Sequence, residues 1–121
     1  MPYQSFETLE IWKEARSLKN YIRVLTDKFP KEQKYRLVDQ LIRSSRAKGG
    51  QIAEGHGRKT NADEARFCII ARGSISETLH HLIDAYDEKL ITDEQLLEIR
   101  QKIDKLEKLM NGYIKWLMNR Q

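Results

Sequence analysis

Eight basic side chains crowd the second quarter of the chain. Lys31, Lys34, Arg36, Arg43, Arg46, Lys48, Arg58 and Lys59 stand against only Glu32, Asp39 and Glu54, a local excess of +5. Arg36 and Arg43 are seven apart and Arg46 follows at i+3, spacings that place guanidinium groups on one face of a helix. Arg58 and Lys59 come where the chain should turn. Forked guanidinium groups and lysines along a helix suit phosphate backbones, a contact that is salt-sensitive and blind to base sequence. The candidate nucleic-acid contacts are therefore Arg36, Arg43, Arg46, Lys48, Arg58 and Lys59. The competing reading is a solvated face, with Arg43 paired to Glu54 or Asp39. No aromatic residue interleaves with these cations in sequence, which argues against single-stranded bases stacking here.

Other residue patterns fall short of chemistry. Glu77-Thr78-Leu79-His80 is an E-x-x-H, as in di-iron bundles, but those need a second such pair and further inward glutamates, and none exists here. Glu77 and His81 could share a metal ion at i,i+4, yet two ligands make half a site. Seven residues separate Arg72 from His80, one too many for the Arg–His spacing of some all-helical ribonucleases. Cys68 lies on an apolar stripe, and nearby Asp63 and Glu64 give no reason for a depressed thiol pKa. Gly55-His56-Gly57-Arg58 lacks the spacing of either nucleotide-binding glycine motif, and no strand precedes it. The glycines read as a helix stop and Glu54 as a partner for a basic residue of a neighbouring helix. Trp12 and Trp116 are anchors for packing or for a subunit interface. No cofactor or metal is expected, and the chain reads as a non-enzyme.

The elements that must carry these residues are helices. With 121 residues, 40% hydrophobic and 33% charged, the chain can bury one core and is too apolar to be disordered. Six glycines and two prolines are too few for a many-stranded sheet, and one cysteine excludes a disulfide framework. The net charge is +4. The N-terminus resembles neither a signal nor a transit peptide, and no apolar run approaches the roughly 20 residues that cross a bilayer. The expectation is one soluble, cytoplasmic domain over residues 1–121, with no membrane partner.

Four periodic segments divide it. Ile11, Ala15, Leu18, Ile22, Leu25 and Phe29 step by 4 and 3, with Ser5 as N-cap and Pro30 ending the run. Leu37, Leu41, Ser44, Ser45, Ala47 and Ile52 give a weaker second stripe that opens at Pro30. Gly49-Gly50 interrupts it, for a kink or a close helix approach, and Gly55 and Gly57 end it. Thr60 or Asn61 caps a third helix with two apolar faces. One holds Phe67, Ile70, Ser74, Thr78, His81 and Ala85, the other Cys68, Ile75, Leu79, Leu82 and Tyr86. Thr92 and Gln95 fit a capping box. Leu96, Ile99, Ile103, Leu106, Met110, Tyr113 and Leu117 then run as a seam. Leu97, Leu109, Ile114 and Trp116 lie off that seam and suggest a second buried surface. The reading is an all-α, antiparallel up-down-up-down four-helix bundle, with helices near 7–28, 31–56, 61–88 and 92–119.

Four stretches in this order carry a family resemblance. They are Ser5-Phe6-Glu7-Thr8-Leu9-Glu10-Ile11-Trp12, Lys28-Phe29-Pro30-Lys31-Glu32, Ile52-Ala53-Glu54-Gly55-His56-Gly57-Arg58 and Gly73-Ser74-Ile75-Ser76-Glu77. Over nearly its whole length the chain resembles the four-helix-bundle proteins encoded in intervening sequences of bacterial 23S ribosomal RNA genes, also labelled S23 ribosomal proteins. Two departures stand out. The family's serine–proline stretch before Ile-Ala-Glu-Gly is replaced by Arg46-Ala47-Lys48-Gly49-Gly50-Gln51, and Leu79, His80 and His81 replace a more polar segment. The resemblance implies a homopentameric ring and an association with nucleic acid. A related group, the accessory proteins of diversity-generating retroelements, engages a reverse transcriptase.

The expectation is a non-enzymatic homo-oligomer, pentameric by resemblance, that binds RNA or DNA phosphates through its basic second helix. The alternative is a protein-interaction scaffold or an accessory subunit of a nucleic-acid enzyme such as a reverse transcriptase.

Overall fold

The computed structural model describes residues 5–120; residues 1–4 and 121, the ends of the expected domain, lie outside it. Four helices account for the architecture: α1 (Glu10–Thr26), α2 (Asp39–His56), α3 (Asn61–Asp87) and α4 (Asp93–Met118). Each packs against two others, α1 on α2, α2 on α3, α3 on α4 and α4 back on α1, which closes the bundle. No strand occurs among the described residues. None of the helices searched is long and apolar enough to cross a membrane.

The periodic positions form the core. Ile11, Ala15, Leu18 and Ile22 of α1 meet Leu41 and Ile52 of α2, Cys68, Ile75 and Leu82 of α3, and Ile99, Ile103, Leu106 and Met110 of α4. Of the off-seam residues of α4, Leu109 and Ile114 pack against the core. Leu97 and Trp116 stay outside, 59% and 49% exposed. Ile70, expected on an inner face of α3, is also exposed.

Helix ends follow local hydrogen bonding, and several differ from the sequence expectation. Ser5 does cap, accepting from Glu7 N, but it caps a short 3-10 turn at Phe6–Thr8. Leu9 is extended, and α1 begins only after it. Pro30 likewise opens a 3-10 turn, followed by a π-helical segment at Lys34–Val38, so the regular α2 starts at Asp39. Gly49-Gly50 neither kinks nor breaks α2, which runs through both. Thr60 caps α3, and Thr92 and Gln95 make both bonds of the capping box on α4.

Gly55 is a further difference. It lies inside α2 and ends nothing; a Cβ there would sit 2.6 Å from Phe67 Cβ. The missing side chain lets α2 and α3 approach at this level. Gly57 alone takes the terminal position, with helical rather than left-handed torsions.

Candidate nucleic-acid interface

The six candidate cations separate into three environments. Arg36, Arg43, Arg46 and Lys59 are exposed and make no ion pair among the described residues. Arg43 is therefore not neutralised by Glu54 or Asp39. Glu54 instead pairs with Arg58 at 3.1 Å, one turn away on the same chain segment.

Arg58 is committed locally. Besides Glu54, it lies 3.9 Å from Asp63, and its guanidinium stacks 4.6 Å from the centre of the Phe67 ring. Arg66 approaches the same ring at 4.9 Å. These contacts hold the α2–α3 turn and leave Arg58 little charge to offer.

Lys48 must be removed from the basic face. It is fully buried, with 0% exposure, because its register places it on the inner stripe, seven residues after Leu41 and four before Ile52. Its Nζ donates to the Ser45 carbonyl oxygen at 3.0 Å, and no carboxylate pairs with it among the described residues. Burial, reinforced by the positive charge of Lys19, pushes its pKa down to about 7. The misassignment was avoidable, since the 41–48–52 spacing was visible in the sequence.

The structure supplies what the second helix alone lacks. A groove of about 290 Å³ runs between α1 and α2, and Trp12, Arg16, Lys19, Arg46, Gly49 and Gly50 are among its lining residues. No aspartate or glutamate lines it among the described residues. Arg16 sits 5.7 Å from the Trp12 ring centre, and Phe6 meets Trp12 edge-on at 5.1 Å. Aromatic groups do line this groove with the cations, then, Trp12 from α1 and Phe6 from the turn before it. The sequence signal for this half was the spacing of Trp12, Arg16 and Lys19, at i, i+4 and i+7 on one face of α1.

The remaining reactive groups have structural surroundings. Cys68 is buried, and its thiol is pushed up to about 12, first by burial and then by Glu64. Arg72 donates to Asn111 Oδ1 at 2.9 Å, tying α3 to α4. Glu64 is buried between His56 Nδ1, at 3.1 Å, and the Tyr113 hydroxyl, which donates at 2.7 Å. Burial and that hydrogen bond hold the Tyr113 hydroxyl above its ordinary pKa. Donor atoms of His80, His81 and Asp84 lie within 4.8 Å of one another on α3. His80 and Asp84 are exposed, and the carboxylate of Glu77 stands 3.6 Å from His81 Nε2.

The four helices make this an all-α bundle protein, with a cationic groove between its first two helices. Residues 7–112 match the 23S rRNA-intervening sequence protein family, and the chain belongs to it. Its fold is similar to a solved structure of a protein with unknown function from the S23 ribosomal protein family of Bacteroides thetaiotaomicron. The TM-score is 0.79 at 25% identity, covering 87% of this chain and 95% of that one. No curated protein matches the sequence.

Proposed function

We propose that this chain is a non-enzymatic, homo-oligomeric nucleic-acid-binding bundle, pentameric by resemblance, that holds RNA or DNA by its phosphates on the α1–α2 face. The observation that carries this reading is the convergence of Arg16, Lys19 and Arg46 on a groove with no carboxylate among its described lining residues. Arg36 and Arg43 extend the same charge along the second helix. Surface arginines are usually answered by acidic neighbours, and these are not. Phosphate is the ligand such a surface lacks. Repetition of the face around a ring would strengthen its field several-fold over that of one subunit.

The test is fluorescence anisotropy of a structured RNA and a duplex DNA at two salt concentrations, with Arg43→Ala/Arg46→Ala as the variant. Affinity should fall with salt at a slope of about −0.7 to −0.9 per phosphate contact, and the variant should weaken all sequences alike and flatten that slope. Absence of binding at the lower salt overturns the reading. The protein-interaction alternative is favoured by a separate observation. Val24, Ile69, Leu97, Trp116 and Met118 remain 63%, 45%, 59%, 49% and 48% exposed. Light scattering of the purified chain would show whether those surfaces are used between copies.

A further inference from the structure

Phosphate contact needs only cations on a convex surface, yet the α1–α2 groove is concave and two of its lining residues are glycines. Gly49 and Gly50 sit in mid-helix, where glycine is the least favoured residue after proline. The fold gives no reason for either. Neither has a positive φ. A Cβ at Gly50 would meet nothing within 4 Å, and one at Gly49 would touch only Trp12 Nε1, at an ordinary 3.8 Å. Gly55 makes the contrast, because packing demands it. What Gly49 does provide is a backbone bare of side chain beside the Trp12 indole, and Gly50 leaves the adjoining lining open.

Two further features point to a ligand. The Trp12 indole N–H makes no hydrogen bond among the described residues, although it lines the groove. Lys48 lies buried behind it, its Nζ donating to the carbonyl oxygen of the groove-lining Ser45, with no carboxylate paired to it among the described residues. Arg16, Lys19 and Arg46 surround the opening. An occupant must therefore be flat enough to lie against an indole, able to accept a hydrogen bond and attached to negative charge. The volume, about 290 Å³, is at the small end of ligand sites.

We infer that this groove is a single-nucleotide cleft, which takes one unstacked base of single-stranded RNA or DNA against Trp12 and its flanking phosphates on Arg16, Lys19 and Arg46. The inference rests on the proposed nucleic-acid reading and adds a substrate class to it. Bases inside a duplex are stacked and paired and cannot enter such a cleft, whereas every unstacked base has a face to offer. The surface prefers single strands.

Trp12 and Trp116 are the two tryptophans of the chain, so a full-length Trp116→Phe protein reports from Trp12 alone. A uridine 15-mer should quench its fluorescence, and should bind about tenfold more tightly than a duplex of equal length, the size of one stacked base. Gly50→Leu, which puts a bulky side chain into the groove lining, should abolish the quenching and that tenfold advantage. Gly50→Ala should raise the melting temperature, confirming that the glycine does not serve the fold. Equal affinity for both forms without quenching would overturn the cleft and leave the phosphate reading standing. Loss of all binding at low salt would sink both. Equal quenching by a polyglutamate peptide would also overturn the cleft, marking a site for acidic protein.

Discussion

Lys48 Nζ donates to the Ser45 carbonyl oxygen at 3.0 Å, one turn back along its own helix, and makes no other hydrogen bond among the described residues. An ammonium has three donors, so this one is both buried and under-satisfied. The folded chain lets go of its proton at about 7, the unfolded chain at about 10.5. Between those values the unfolded state binds the extra proton, so the Lys48 contribution makes stability rise with pH, and its full cost is present below about 7. Lys48→Met should stabilise the protein by on the order of 2 kcal/mol at about pH 6. The advantage should shrink towards about pH 10. Urea unfolding of both proteins across that range measures the difference; a pH-independent gap would contradict the burial of a titrating amine.

Gly55→Ala tests the α2–α3 contact. The new methyl would lie 2.6 Å from Phe67 Cβ, an atom next to the backbone that cannot swing aside. Overpacking of this kind costs about 1–3 kcal/mol. The same substitution at Gly49 or Gly50 should instead stabilise by about 0.5–1 kcal/mol, as alanine in a helix normally does. Thermal melts of the three variants separate a packing glycine from two that packing does not require.

The Tyr113 hydroxyl fastens the last turns of α4 to Glu64 at the start of α3. Tyr113→Phe removes a hydrogen bond to a buried carboxylate and should destabilise by about 1.5–3 kcal/mol. Combining it with Glu64→Gln in a double-mutant cycle should reveal coupling, and additivity would show that the bond contributes nothing.

Lys89 closes α3 at φ 62°, the only positive φ among the described non-glycine residues. Leu90 N bonds Ala85 O and Lys89 N bonds Tyr86 O, the paired bonds of a Schellman ending. Glycine adopts this conformation without strain, so Lys89→Gly should gain about 0.5–1 kcal/mol. A loss of stability in chemical denaturation would mean that the lysine side chain holds the turn.

Much of this bundle was legible in the chain. The steps of 3 and 4 from Ile11 to Leu25 and from Ile99 to Leu117 state which face of α1 and α4 turns inward, because helical period is a local property. The Thr92–Gln95 box states where α4 begins for the same reason. Even the burial of Lys48 is written in its spacing from Leu41 and Ile52, because register, not side-chain charge, sets which face of a helix turns inward. The starts of α1 and α2 were less readable, since the extended Leu9 and the π-helical turn before Asp39 leave little mark on composition.

The candidate site divides along the same line. That Arg43 and Arg46 share a helix follows from sequence alone, and so does the shared face of Trp12, Arg16 and Lys19; Arg36 lies in the π-helical segment before α2. That Trp12 stands over Gly49 and Arg46, more than thirty positions away, does not follow from either pattern. It depends on how closely and at what level two helices pack, which is decided by side-chain volumes across the whole core. Periodicity belongs to each helix by itself, but a groove belongs to a pair.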